Sequence, residues 1–273
     1  MSTFGALSHA PTPLFGLNDP TSSINPSNSH LPAHTTSNDS SLQHTKSPIV
    51  TGTSVLAIKY ADGVMLSADT LCSYGSMAKY KDARRIRPAN SHTLIGAGGE
   101  YSDFQSIMDM LKNVEQGDIN LDDGGTKTPK ELWSLMRAIM YQRRNKMNPY
   151  WNELVIGGYD EKLGGSFLGF VDKIGTAFED NMIATGFGAH LALPIMRDRW
   201  RPDMAEGEAR KLLEDCMRVL FYRDCRALNK IQIAKATKEG NLVSEPYEIE
   251  TSWDAKSFVG SKAGVEGGND GGW

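Results

Sequence analysis

The order of patterned segments predicts an α+β fold in layers, with two antiparallel sheets packed face to face and a helix layer outside each. Two observations carry this. Strand-like runs and helical runs come in groups, as strands, two helices, strands, two helices and a last strand, whereas a parallel sheet needs regular βαβα alternation. The chain has 273 residues, of which 40% are hydrophobic and 23% charged, values of an ordinary folded protein. That length suits one large domain or two small ones. A collagen, a wholly disordered chain and a disulfide miniprotein are excluded, and no internal repeat is evident.

The elements follow in order. Thr53 to Tyr60 and Val64 to Ala68 are strand-like runs joined by Ala61-Asp62-Gly63, a hairpin signal. His92 to Ala97 reads as another strand, ending in a Gly96-Ala97-Gly98-Gly99 turn that opens a helix. On that helix Phe104, Ile107, Met108, Leu111 and Val114 recur at spacings of three and four, which places them on one buried face. Thr128-Pro129-Lys130-Glu131 starts the next helix with a capping box and a proline at the first helical position. Its core face is Leu132, Leu135, Met136 and Ile139. Leu154 to Tyr159 and Ser166 to Asp172 are two more strands. A third helix begins near Ala189, and a fourth runs from about Ala205 to Arg223 with Leu212, Leu213, Cys216, Leu220 and Phe221 on one side. Lys230 to Thr237 is the closing strand.

The termini differ from this body. Of the first 48 residues 26 are Ser, Thr, Pro or Asn, and the charged side chains are Asp19, Asp39 and Lys46. Such a segment buries too little apolar area to offset its ordering entropy, so it reads as a flexible tail or a leader removed on maturation. It has none of the arginines of a mitochondrial transit peptide. Six of the last 14 residues are glycine, which reads as a mobile arm.

A formal charge of −4 is too balanced for a protein that binds polyanions through its overall charge, so no nucleic-acid partner is expected. No stretch approaches the roughly 18 apolar residues that span a bilayer, and no secretory signal opens the chain. A soluble intracellular protein without a membrane partner is expected. Cys72, Cys216 and Cys225 form no CxxC pair and have no histidine at metal-ligand spacing, so neither metal nor cofactor is expected. They read as reduced, mostly buried small hydrophobes, with a reactive thiol as the alternative.

Each candidate for chemistry has a plainer counterpart. The Gly96 to Gly99 turn is placed to cradle an anion, but Tyr101 stands where a dinucleotide fingerprint needs its third glycine, and close packing is the plainer role. Lys79, Lys81, Arg84, Arg85 and Arg87 read as a phosphate patch or as a solvated or subunit-facing surface. His92 and His190 lack a Ser-His-Asp context. Asp69 ends the second strand and Asp224 the fourth helix, both in apolar surroundings where an unpaired carboxylate is costly. Arg85 suits Asp69, and a backbone amide or a basic side chain suits Asp224. These residues alone leave structural and catalytic pairs indistinguishable.

Four stretches then become recognisable: Gly52-Thr53-Ser54-Val55-Leu56-Ala57, Gly63-Val64-Met65-Leu66-Ser67-Ala68-Asp69, Gly98-Gly99-Glu100-Tyr101-Ser102-Asp103-Phe104-Gln105 and Tyr222-Arg223-Asp224. From about Thr45 to Asp254 the chain resembles the β-type subunits of the proteasome core particle. Val50 to Val55, Ser73-Tyr74-Gly75-Ser76, Lys146-Met147-Asn148-Pro149, Val155 to Tyr159 and Met217 to Leu220 resemble one non-catalytic branch of them. The resemblance implies a four-layer αββα sandwich of the N-terminal nucleophile (Ntn) hydrolase type.

In active members of that family a threonine freed at its amino group is both nucleophile and base, with a lysine, two aspartates and two serines around it. Thr53 aligns with the nucleophile, Asp69 and Asp224 with the aspartates, and Gly99 with the glycine whose N–H stabilises the oxyanion. Arg85 stands in place of the lysine, and Phe187 and Ala227 in place of the serines. Arginine stays protonated and is too wide to replace a compact ammonium, so the resemblance implies a site without catalysis, with Thr53 an ordinary strand threonine. The competing expectation is an active threonine endopeptidase cut at Gly52-Thr53.

The resemblance further implies a propeptide of residues 1–44, cut between His44 and Thr45 by an active neighbour. A body of residues 45–252 follows, then an arm of residues 253–273 whose Trp253 and Phe258 dock on a neighbouring subunit. It implies a place, in two copies, in a four-ring barrel of 28 α- and β-type subunits that degrades proteins in an ATP- and ubiquitin-dependent way. Assembly chaperones and regulatory caps are indirect partners, and cytoplasm and nucleus are the expected locations.

Overall fold

The computed structural model describes residues 46–254 apart from 123 and 161–163. The chain divides into two units, Met1–Gln43 and His44–Trp273, and every described residue lies in the second. The leader, the cut at His44-Thr45 and Phe258 lie outside the described residues. Seven strands come first: β1 (Val50–Gly52), β2 (Val55–Tyr60), β3 (Gly63–Asp69), β4 (Cys72–Tyr74), β5 (Met77–Tyr80), β6 (Ile86–Asn90) and β7 (Thr93–Glu100). Helices α1 (Tyr101–Leu121) and α2 (Pro129–Asn145) follow, then β8 (Asn152–Asp160), β9 (Gly165–Val171), β10 (Ala177–Glu179) and β11 (Met182–Ala184). Helices α3 (Gly188–Arg199) and α4 (Glu206–Arg223) precede β12 (Lys230–Thr237), β13 (Gly240–Val243) and β14 (Tyr247–Glu248).

Among the described residues the strands form two antiparallel sheets. The eight-stranded one has the order β10-β9-β8-β7-β1-β4-β5, with β6 also on β7. The six-stranded one has the order β11-β2-β3-β12-β13, with β14 also on β12. The alternation of side chains along each strand explains why four layers result. In β2, Leu56 and Ile58 join the cluster of α3 and α4, while Val55 and Ala57 join the cluster between the sheets. In β8, Leu154 and Ile156 meet Phe104, Ile107 and Met136 of α1 and α2, while Val155 faces inward. Both faces of the central strands are therefore buried, which is why Thr53 to Tyr60 reads as a nearly unbroken apolar run. The αββα sandwich is the architecture of the chain.

The helices form for local reasons as well. At the start of α2 the Thr128 hydroxyl accepts the Glu131 N–H at 3.3 Å, and the Glu131 carboxylate accepts the Thr128 N–H at 2.7 Å. Val114, Leu135 and Phe221 are half-buried rather than fully so, and Met140 joins the α2 core face.

The Gly96 to Gly99 run is strand, not turn. It pairs Val155 to Asn152 of β8 on one side, and on the other meets β6 through Gly96 and β1 through Gly99. The glycines are there for clearance. A Cβ on Gly96 would meet Val55 Cγ1 at 2.7 Å, and one on Gly99, where φ is +85°, would meet the Trp151 carbonyl oxygen at 2.0 Å. A strand glycine costs about 0.5–1 kcal/mol. Each buried aliphatic side chain it lets pack contributes about 1.5–3 kcal/mol, so packing wins.

Candidate functional site

The chain changes sheets at Thr53 and Ser54, between the end of β1 and the start of β2. Thr53 is thus a crossing residue, not a strand residue. Before it, β1 lies between two strands, with Thr51 opposite Ser73 of β4 and Glu100 of β7, and Gly52 opposite Gly99. After it, the Ser54 hydroxyl accepts the Gly188 N–H at 2.8 Å, and the Val55 N–H donates to the Thr185 hydroxyl at 2.9 Å. The half-buried Thr53 hydroxyl donates to Asp224 Oδ2 at 2.6 Å. Asp224 is the residue after α4, and its other oxygen accepts the Arg226 N–H at 2.9 Å.

Arg85 occupies the space beneath this crossing, 2% exposed. Its Nε donates to the Asp69 carbonyl at 3.0 Å, Nη1 to the carbonyls of Thr53 at 2.8 Å and Ala97 at 3.2 Å, and Nη2 to the Ser54 carbonyl at 3.0 Å. Nη2 also forms an ion pair with Asp69 Oδ1. Every guanidinium nitrogen is engaged, each on a carbonyl or carboxylate oxygen. Gly52 makes room for it, since a Cβ there would lie 2.4 Å from Arg85 Cδ. Burial pushes the Asp69 carboxyl above its ordinary value, opposed by the Arg85 guanidinium and by the Leu228 N–H, which donates to Asp69 Oδ2 at 2.9 Å.

Thr53, Asp69, Arg85, Gly99 and Asp224 are therefore joined through the β1–β2 crossing. Gly99 lies between β1 and β8, opposite Gly52 and Asn152, and is half-buried. The Ala227 N–H donates to the Asp224 carbonyl at 3.2 Å. Phe187 immediately precedes α3 and is 58% exposed. Neither Ala227 nor Phe187 carries a hydroxyl.

The basic run does not form one surface. Arg85 is buried, Arg87 is half-buried with its guanidinium on the Tyr101 hydroxyl at 3.3 Å, and Arg84 bonds Glu245 at 3.0 Å. Lys79 and Lys81 remain exposed. Arg85 is buried because its guanidinium is enclosed by the carbonyls of Thr53, Ser54, Asp69 and Ala97 and the Asp69 carboxylate. Cys72 and Cys216 are buried, but Cys225 is exposed because it lies in the turn after α4. Glu100, absent from the sequence-based candidates, is 6% exposed and accepts the Val50 N–H at 3.0 Å and the Ser102 hydroxyl at 3.0 Å. It also accepts the Ile49 N–H, so it anchors the chain entering β1. An acid at the end of the apolar Thr93 to Gly99 run is the signal that marks it.

An αββα sandwich with a threonine at the crossing into β2, its hydroxyl on the buried Asp224 and its carbonyl on the buried Arg85 that pairs with Asp69, has the architecture of the Ntn-hydrolase class of fold. The chain matches the family described as Proteasome subunit over residues 49–236. It is 51% identical over 225 residues to Proteasome subunit beta type-4 of Arabidopsis thaliana, across 82% of this chain and 91% of that one. With Proteasome subunit beta type-4 of Dictyostelium discoideum it shares 46% over 211 residues, 77% of this chain and 81% of that one. With Proteasome subunit beta type-7 of Saccharomyces cerevisiae it shares 36% over 233 residues, 81% of this chain and 87% of that one. The chain belongs to the proteasome subunit family, among its β-type subunits.

Proposed function

We propose that this chain is a non-catalytic structural β subunit of the proteasome core particle, contributing its fold rather than a nucleophile. The observation that carries this is Arg85. Its guanidinium fills the space beneath Thr53 with every nitrogen engaged on a carbonyl or carboxylate oxygen, so a group that stays protonated stands where an active threonine site needs a compact lysine ammonium. Phe187 and Ala227 support the reading, because neither offers a hydroxyl in place of the two serines.

In this reading the subunit occupies a β ring, twice in a 28-subunit barrel of α- and β-type partners. It supports assembly and ATP- and ubiquitin-dependent protein degradation in cytoplasm and nucleus, with chaperones and caps as indirect partners. Its leader, residues 1–44, is cut by an active neighbour before Thr45. The test is Thr53→Ala in assembled particles, assayed with fluorogenic peptides for each peptidase activity. All activities are expected to stay at the parental level. Selective loss of one, with assembly intact, overturns the reading in favour of an active threonine peptidase.

A further inference from the structure

Tyr222, in the Tyr222-Arg223-Asp224 motif, has no part in the site described so far. Its hydroxyl accepts the Ser252 N–H at 2.7 Å. Trp253 meets the Tyr222 ring edge-to-face at a centroid distance of 5.0 Å and the Phe221 ring at 5.9 Å. One turn earlier, Arg218 Nε donates to the Glu250 carbonyl at 2.8 Å while its Nη1 is held by Asp215 at 2.6 Å. Arg218, Phe221 and Tyr222 are spaced i, i+3, i+4, so they present one face of α4 to residues 250–253. The far end of this stretch is fixed by Ile249, 5% exposed, whose N–H donates to the Asn229 carbonyl at 2.9 Å.

Trp253 is expected from the family resemblance to dock on a neighbouring subunit. Within its own chain it also meets aromatic rings, and it stays 62% exposed, since β14 delivers the chain directly onto the end of α4. We infer that residues 249–253 form a strap, latched by Trp253 on Tyr222, which closes the last turns of α4 and steadies the Asp224 carboxylate against Thr53. A segment held only by its covalent ends would fray with its terminus. Here three successive attachments, a backbone pair, a charged side chain on a carbonyl and an aromatic pair with its hydrogen bond, resist opening together.

Hydrogen exchange of intact particles, read by mass spectrometry with residue-level fragmentation, tests the strap. Tyr222→Phe keeps the ring and removes the acceptor, so the Ser252 amide should exchange about 5-fold faster, the worth of one ordinary hydrogen bond. Trp253→Ala should speed exchange across residues 249–253 and at the Asp224 amide, which bonds the Leu220 carbonyl at 2.7 Å, by about 5–10-fold. Trp253→Phe should restore most of that protection, and particle yield should stay constant throughout. Unchanged exchange at Ser252 in Tyr222→Phe overturns the strap. So does Trp253→Ala in which half-particles accumulate while exchange at Asp224 is unchanged, because the tryptophan is then a subunit contact.

Discussion

Arg85 governs the chemistry around Thr53 through where its N–H groups go. A buried arginine paired with one carboxylate and surrounded by carbonyls is a structural rivet, since removing one partner of such a pair strands the other charge. Arg85→Met should therefore destabilise the chain by about 3–5 kcal/mol, read by chemical unfolding. Arg85→Lys keeps the charge but leaves carbonyls of the Thr53-Ser54 crossing unpaired, at about 1–3 kcal/mol. It should also create no peptidase activity, because Phe187 and Ala227 still offer no hydroxyl in place of the two serines. Turnover of fluorogenic peptides by particles carrying it would contradict that. The cysteines give a second residue-scale prediction. Burial pushes the Cys72 thiol up to about 11 and the Cys216 thiol up to about 12, from 9.0. The folded chain then keeps protons that the unfolded chain releases above pH 9. Their contribution is fully present below pH 9 and is lost as pH rises toward 11–12, by about 1.4 kcal/mol per pH unit for each thiol. Urea titrations at successive pH values should show this slope, flattened in Cys216→Ala. Iodoacetamide should modify Cys225 in the folded chain and reach the other two after unfolding.

At the scale of elements, β1 is short and depends on its neighbours. Three residues make too little ladder to persist alone, and Glu100 holds the N–H groups of Ile49 and Val50 that lead into it. Glu100→Ala leaves those donors without an acceptor, at about 1–3 kcal/mol. Its expected signature is faster tryptic cleavage after Lys46 with the rest of the body still resistant. Helix α2 offers the contrast of an element secured locally. Thr128→Ala removes one half of its capping box and should cost about 1 kcal/mol, read as a lower Tm of the chain. The two cases differ because a cap is satisfied within four residues, whereas β1 takes its partners from residues about 50 positions away.

At the scale of the molecule, β1 joins the halves of the eight-stranded sheet, because β7 and β4 each pair with it and not with one another. Cutting at Gly52-Thr53 with loss of the preceding segment would remove that strand from the middle of a sheet. Cutting before Thr45 leaves it in place. Intact mass of the subunit from mature particles should therefore correspond to a chain beginning at Thr45. A chain beginning at Thr53 would contradict both this and the reading of Thr53 as inert.

The layered α+β architecture, the four helices and the strands β2, β3, β8, β9 and β12 were legible in the sequence, because their patterns repeat within a few residues. The spacing of apolar side chains carries helix faces, and alternation between two cores leaves an apolar run. The aspartates and the need of Asp69 for Arg85 were legible too, since a carboxylate in apolar surroundings demands a partner. Tertiary structure decided the rest. Short edge and bridging strands such as β1, β4, β5 and β13 carry too few residues for a pattern. The Gly96 to Gly99 run reads locally as a turn and becomes strand only where Val55 and Trp151 press against it. Arg85 sits in a basic run that reads as surface, and its burial follows from contacts with residues 53, 54, 69 and 97, which only the folded chain brings together. Trp253 gives no local sign of its contacts within the chain for the same reason. Its partners lie about 30 residues back along the chain, on a helix face that exists only once α4 has formed.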